Sequence, residues 1–191
     1  MPVLIAHPTT PSAHVHSVTA HVQFDRAAGL SLRFILTGEL DELSIPSAGA
    51  VARSDRLWEH TCFEAFVGVE GGTRYLEFNL APSRQWAGYG FSGYRQRDES
   101  WTAPTPRIEV VRTVATLEVN AQIPLEALRP LCPSRTLRLG LTAVIEARDR
   151  SLSYWALAHP PRQPDFHHAD GFVLGLDVVA ATASQPVADL P

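Results

Sequence analysis

Apolar and polar positions alternate in short runs along most of this chain. Segments of that kind, or segments crowded with β-branched residues, are "HVHSVTAHVQF", "GLSLRFILTGEL", "HTCFEAFVGV", "TRYLEFNLAP" and "QWAGYGFSGY" in the first half. The second half continues with "PRIEVVRT", "ATLEVNAQIP", "TLRLGLTAVIEA", "LSYWALAHP" and "GFVLGLDV". A period of two places successive side chains on opposite faces of an extended strand. About ten such strands, separated by Gly, Pro, Ser and Asp, predict an all-β fold, an antiparallel β-sandwich of jelly-roll or immunoglobulin-like type. One short helix is expected in "PLEALRPL", where Pro124 suits a first helical position and Pro130 stops the run.

Residues 37–57, "TGELDELSIPSAGAVARSDRL", hold no sustained period and read as a long loop leading to Trp58. Loops of that length in compact domains are often functional. The end of the chain, "AATASQPVADLP", is small and polar, as fraying termini are. With 191 residues and 45% apolar composition, the expectation is one domain over residues 1–180 and a flexible tail over 181–191.

The alternation also sorts faces. In the segment from residue 58, Phe63, Ala65, Val67 and Val69 share one side, while Trp58, His60, Cys62, Glu64 and Phe66 share the other. In the next, Leu76, Phe78 and Leu80 oppose Tyr75, Glu77 and Asn79. A hairpin through "VEGGTR" sets the two mixed faces side by side and brings Glu64 near Glu77 or Asn79. Like charges on neighbouring strands repel, and a wet face relieves them. Large aromatics are costly on such a face, however, and Trp58, Phe66 and Tyr75 share it, with Trp86 and Tyr94 close in sequence. In "TAVIEARDRSLSYWALAHP", Thr142, Val144, Glu146 and Arg148 alternate against an apolar set, and Ser153, Trp155 and His159 are expected to join the same surface.

Aromatic planes interleaved with acids, amides and arginine suit a saccharide, whose C–H faces stack on rings while its hydroxyls take polar contacts. The expected binding set is therefore Trp155 and Trp86, with Trp58, as stacking platforms, and Glu64, Glu77, Asn79 and Arg95 as hydroxyl partners. His60, Glu146 and His159 complete the face.

Composition narrows the chemistry further. A net charge of −4 with scattered basic residues offers no stripe for nucleic acid. All sixteen basic residues are arginine, which removes lysine Schiff-base and P-loop lysine chemistry. Cys62 and Cys132 lack metal-ligand spacing and are each expected to be buried free thiols. "LDEL" and "GLDV" lack calcium spacing, and "DFHHADG" has no third ligand at a zinc spacing. The apolar "VLIA" runs into His7 and Pro8 without a basic leader, so neither a signal peptide nor a membrane span is expected, and the chain reads as cytoplasmic.

In combination, "LWEHTCFEAFVGV", "RYLEFNLAPSRQWAGYGFSGYR", "LEVNAQIPLEAL" and "SYWALAHPPRQPDFH" resemble the DOMON-like proteins related to family 9 carbohydrate-binding modules. The resemblance spans roughly residues 15–177 and rests on the Trp58, Glu64 and Phe66 spacing and on Glu118, Asn120 and the following Ile-Pro-Leu. It implies a β-sandwich with a concave ligand face that takes sugar in the carbohydrate modules and haem in some DOMON relatives, without catalysis. The leading expectation is thus a non-catalytic module that binds a small polar ligand, a saccharide, and needs no cofactor. Haem is the alternative, with ligation by His60, His159, His167 or His168, since the only methionine is Met1. A glycoside hydrolase using Glu64 and Glu77 is a third reading. A partner surface that buries the aromatic face is a fourth.

Overall fold

The computed structural model describes residues 2–131 and 136–178, so Cys132 and the expected tail over 181–191 lie outside the described residues. The strands in chain order are β1 Val3–Ala6, β2 Val15–Asp25, β3 Gly29–Gly38, β4 Ala52–Arg53, β5 Cys62–Val69, β6 Tyr75–Leu80 and β7 Gln85–Gly93. There follow β8 Gln96–Arg97, β9 Arg107–Arg112, β10 Thr116–Ile123, β11 Thr136–Glu146, β12 Leu152–Ala156 and β13 Leu174–Asp177. Each of the ten alternating segments holds one of them. The additions are β1, made from "VLIA", and the two-residue strands β4 and β8.

The hydrogen-bonded order is β4-β7-β6-β5-β11-β12-β1-β2-β3-β10-β9, with β13 on β11 and β8 on β7. Pairing is antiparallel throughout except for β4 beside β7. The fold is mostly β as expected, but in place of two stacked sheets the strands form one continuous, curled sheet. The reason is β1: Val3 and Leu4 pair with β2, whereas Ile5 and Ala6 pair with β12, so one short strand carries the ladder from one half of the molecule to the other.

The curl closes on an apolar core. Leu30, Leu32, Phe34 and Leu36 of β3 point inward from one half, and Phe63, Ala65, Val67, Leu76, Phe78 and Leu80 from the other. The Phe34 and Phe63 rings meet across it at 5.3 Å. Trp86 on β7 and Trp155 on β12 lie in this same core. Gly88 on β7 is there because residues 101–103 cover that strand, and a Cβ at Gly88 would stand 2.4 Å from that of Ala103.

The expected helix is a 3-10 segment, Leu125–Leu131, with Pro130 inside it and Ala127, Leu128 and Leu131 buried. Prolines at both 124 and 130 leave no room for an α-helical ladder. The long loop carries a one-turn 3-10 helix at Leu40–Glu42, then β4, and delivers a second at Leu57–Glu59. No helix among the described residues is long and apolar enough to cross a membrane.

Candidate binding site

The residues left on the outer side of β5, β6, β7, β11 and β12 form the floor of a cavity of about 420 Å³. Register builds this floor. Glu64 pairs with Asn79 and Phe66 with Glu77 across β5 and β6, and Glu77 pairs in turn with Tyr89 on β7. On the other flank Glu64 pairs with Thr142, and Val144 with Tyr154 on β12. Two acids on adjacent strands are thereby set one pair apart among aromatic rings.

Three irregular segments make the walls. The 3-10 turn Leu57–Glu59 lifts Trp58 out of the strand to which alternation assigned it, and its ring meets Tyr89 edge-on at 5.9 Å. The turn between β7 and β8 holds Arg95 at φ 54°, a left-handed backbone uncommon for a side-chain-bearing residue. Residues 157–173 supply Pro164, Asp165, Phe166 and His167. That segment is seated by Phe172, which packs over glycines on both β5 and β11; a Cβ at Gly140 would come within 3.0 Å of its ring.

Polar contacts lock the walls together. Arg95 Nη2 donates to Asp165 Oδ1 at 2.8 Å, and the Tyr94 hydroxyl donates to Oδ2 at 2.6 Å. The Tyr75 hydroxyl meets His167 Nδ1 at 2.8 Å, and the Tyr89 hydroxyl donates to Asp55 at 2.6 Å. The Arg97 guanidinium lies over the Tyr89 ring at 3.8 Å.

The floor is electrostatically unusual. Glu64 is only 2% exposed; its Oε2 accepts from Thr142 at 3.4 Å, and its Oε1 has no partner among the described residues. Burial, reinforced by the Glu77 charge, pushes the Glu64 carboxyl well above the usual range. Burial also raises Glu77, to about 7, against the opposing Asn79 hydrogen bond and the Arg97 and Arg95 charges. His167 moves the other way: burial and the Arg95 charge bring it down to about 4. Burial and Asp55 together hold the Tyr89 hydroxyl above its ordinary value. Near neutrality Glu77 therefore stands between acid and carboxylate, and burial biases Glu64 toward its protonated form. A hydrolase would draw its proton from such a pair, and Glu77 becomes an ionised partner only from about pH 7.

Of the residues expected at the site, Trp58, Glu64, Glu77 and Arg95 line the cavity together. Asn79 is fully buried behind them and donates to Glu77 Oε1 at 2.7 Å. His60 and Glu146 pair with each other at 2.8 Å but stand in a separate recess with Arg148 and Arg150. His159 donates from Nε2 to the Ile5 carbonyl and packs edge-on against His7. The proposed stacking platforms Trp86 and Trp155 face the core instead, and this corrects the expectation. Trp86 pairs with Leu80, an inward residue, and Trp155 pairs with inward Ala143. The turn after β11 sets Glu146 opposite Leu152, which puts Tyr154 rather than Trp155 on the outer face.

Sequence reasoning missed Tyr89, Arg97, Tyr154, Asp165 and Phe166. The signal for Tyr89 was its phase in "GYGF", two residues from Phe91 and out of step with Trp86. His167 was considered as a haem ligand; it lines the cavity, whereas neighbouring His168 turns to accept from the Asp170 amide.

No family model matches the sequence, and no curated protein matches it at a significant level. Its fold is that of a solved protein of Bacteroides uniformis ATCC 8492 named a "putative carbohydrate-binding protein". The two superpose with a TM-score of 0.67 at 17% identity, over 91% of this chain and 83% of the other. At that identity the likeness is one of fold.

Proposed function

We propose that this protein is a non-catalytic module that binds a saccharide in the outer-face cavity. The observation that carries the reading is the unpartnered, buried Glu64 Oε1 on a floor walled by aromatic rings. A polar atom denied both water and a protein partner costs about 1–3 kcal/mol unless a ligand donor satisfies it. Trp58, Tyr89, Tyr154 and Phe166 supply the apolar planes, and Glu64, Glu77, Arg95 and Asp165 the hydroxyl partners. The fold shared with the Bacteroides protein, whose name refers to carbohydrate, supports this reading, as does the sequence resemblance to DOMON-like and family 9 modules.

Haem fits this cavity less well. Among its lining residues the only histidine is His167, so paired histidine ligation has no second ligand there.

A thermal-shift screen of the protein against neutral monosaccharides and disaccharides, amino sugars and haem tests the reading. A ligand at 100 times its dissociation constant raises stability by about 2.7 kcal/mol. A sugar response that disappears in Trp58→Ala supports the cavity. A response to haem alone, or to no sugar at all, overturns it.

A further inference from the structure

The acids at the cavity floor are unevenly served. Arg95 is committed to Asp165 at 2.8 Å, and Arg97 is spread on the Tyr89 ring at 3.8 Å, 3.8 Å from Glu99. Glu77 retains Asn79 and the field of both arginines. Glu64 has only the Thr142 hydroxyl, at 3.4 Å. Of the charged residues that line the cavity, Glu64, Glu77 and Asp165 outnumber Arg95 and Arg97 by one. The place where positive charge is lacking is thus Glu64, at a buried oxygen with no partner among the described residues, in a cavity whose lining also holds aromatic rings.

Resting on the saccharide reading above, we propose that the sugar carries a primary ammonium group, which seats on Glu64 beside Glu77. An ammonium brings three donors and one positive charge. It supplies a partner for Oε1 and draws the two raised carboxyls into their ionised forms, in a cavity whose aromatic rings are themselves compatible with a cation. A neutral hydroxyl satisfies Oε1 without drawing either carboxyl into its ionised form; a carboxylate or phosphate disfavours those ionised forms further. The upward displacement of both carboxyls agrees with a floor that lacks its counter-charge, since a cation placed there favours their ionised forms.

The test is isothermal titration of the full chain near pH 6.5 with matched sugars: glucose, glucosamine and N-acetylglucosamine, and galactose with its amino and N-acetylamino derivatives. N-acetylation keeps the shape at the nitrogen but removes the charge. The proposal expects at least one free amino sugar to bind tenfold or more tightly than both its hydroxyl parent and its N-acetyl form. It expects that ratio to collapse toward one in Glu64→Gln, with Glu77→Gln as the second variant. A parent sugar that binds as tightly as its amino derivative overturns this inference and leaves the saccharide reading standing. If no sugar of either kind binds, the saccharide reading falls and the inference with it. A simple alkylamine that matches the amino sugar shows that the ammonium is recognised without the ring, and overturns the saccharide part of the proposal.

Discussion

Asn79 donates from Nδ2 to Glu77 Oε1 at 2.7 Å, two positions along the same strand and on the same face. A contact that favours the ionised acid is thus built into the floor, yet burial still holds Glu77 up to about 7, from 4.5 in an unfolded chain. The native state keeps a proton that the unfolded chain has lost across that interval, so stability falls as pH rises from 4.5 to 7. Glu64 adds to the fall. His167 opposes it: lowered to about 4 from 6.5, it makes stability rise with pH between those values. Urea unfolding from pH 4.5 to 8 is expected to show stability falling gently up to about pH 6.5, where His167 offsets one of the two carboxyls, and falling more steeply just above it, where that offset ends. In Glu77→Gln one falling contribution is removed, Glu64 and His167 oppose one another, and the profile flattens between pH 4.5 and 6.5. An unchanged profile in that variant contradicts the assignment.

Trp58 and Trp155 should separate binding from stability. Trp155 is buried, with its indole N–H on Ser153 at 3.0 Å, so Trp155→Ala is expected to cost about 3–5 kcal/mol by denaturant unfolding. Trp58 is 38% exposed on a turn, so Trp58→Ala should cost about 1 kcal/mol or less and abolish the sugar response. The opposite assignment of effects contradicts the placement of the two rings.

Period two and the "VEGGTR" turn were enough to put Glu64 and Glu77 on one face, because a hairpin fixes both phase and neighbour. Trp155 was misassigned because the phase had to be carried across the turn after Glu146, and one residue of slip exchanges the two faces. Trp86 was misassigned for a related reason: its closeness in sequence to Glu77 was read as closeness in space, while its parity follows Leu80. Residues 157–173 hold no period at all, so nothing local announced that Asp165, Phe166 and His167 return over the floor. The curl depends on "VLIA" pairing to both sides, a long-range choice that four apolar residues do not reveal.

The Arg95 and Asp165 pair fixes one wall. Its side chains are partly exposed, so a double-mutant cycle with Arg95→Ala and Asp165→Asn should give a coupling of about 1 kcal/mol or less in stability, weaker at high salt. Sugar affinity should fall in both single variants by more than that coupling, because each frees residues 157–173 from the turn. Unaltered affinity in both contradicts a binding role for that wall.

Cys62 is fully buried and burial pushes its thiol well above the ordinary range. Alkylation followed by peptide mass spectrometry should leave Cys62 unlabelled in buffer and label it in urea. Rapid labelling in the native protein contradicts the closed packing of β5.

Binding in the outer cavity is tested most directly by the indole N–H signals of the four tryptophans during a sugar titration. Trp58 borders the cavity, whereas Trp86 and Trp155 are buried in the core and Trp101 packs against it. The Trp58 signal should move with saturable amplitude while the other three hold still. Movement of Trp86 or Trp155 with Trp58 unchanged, or four signals unmoved by every sugar, contradicts the cavity as a saccharide site.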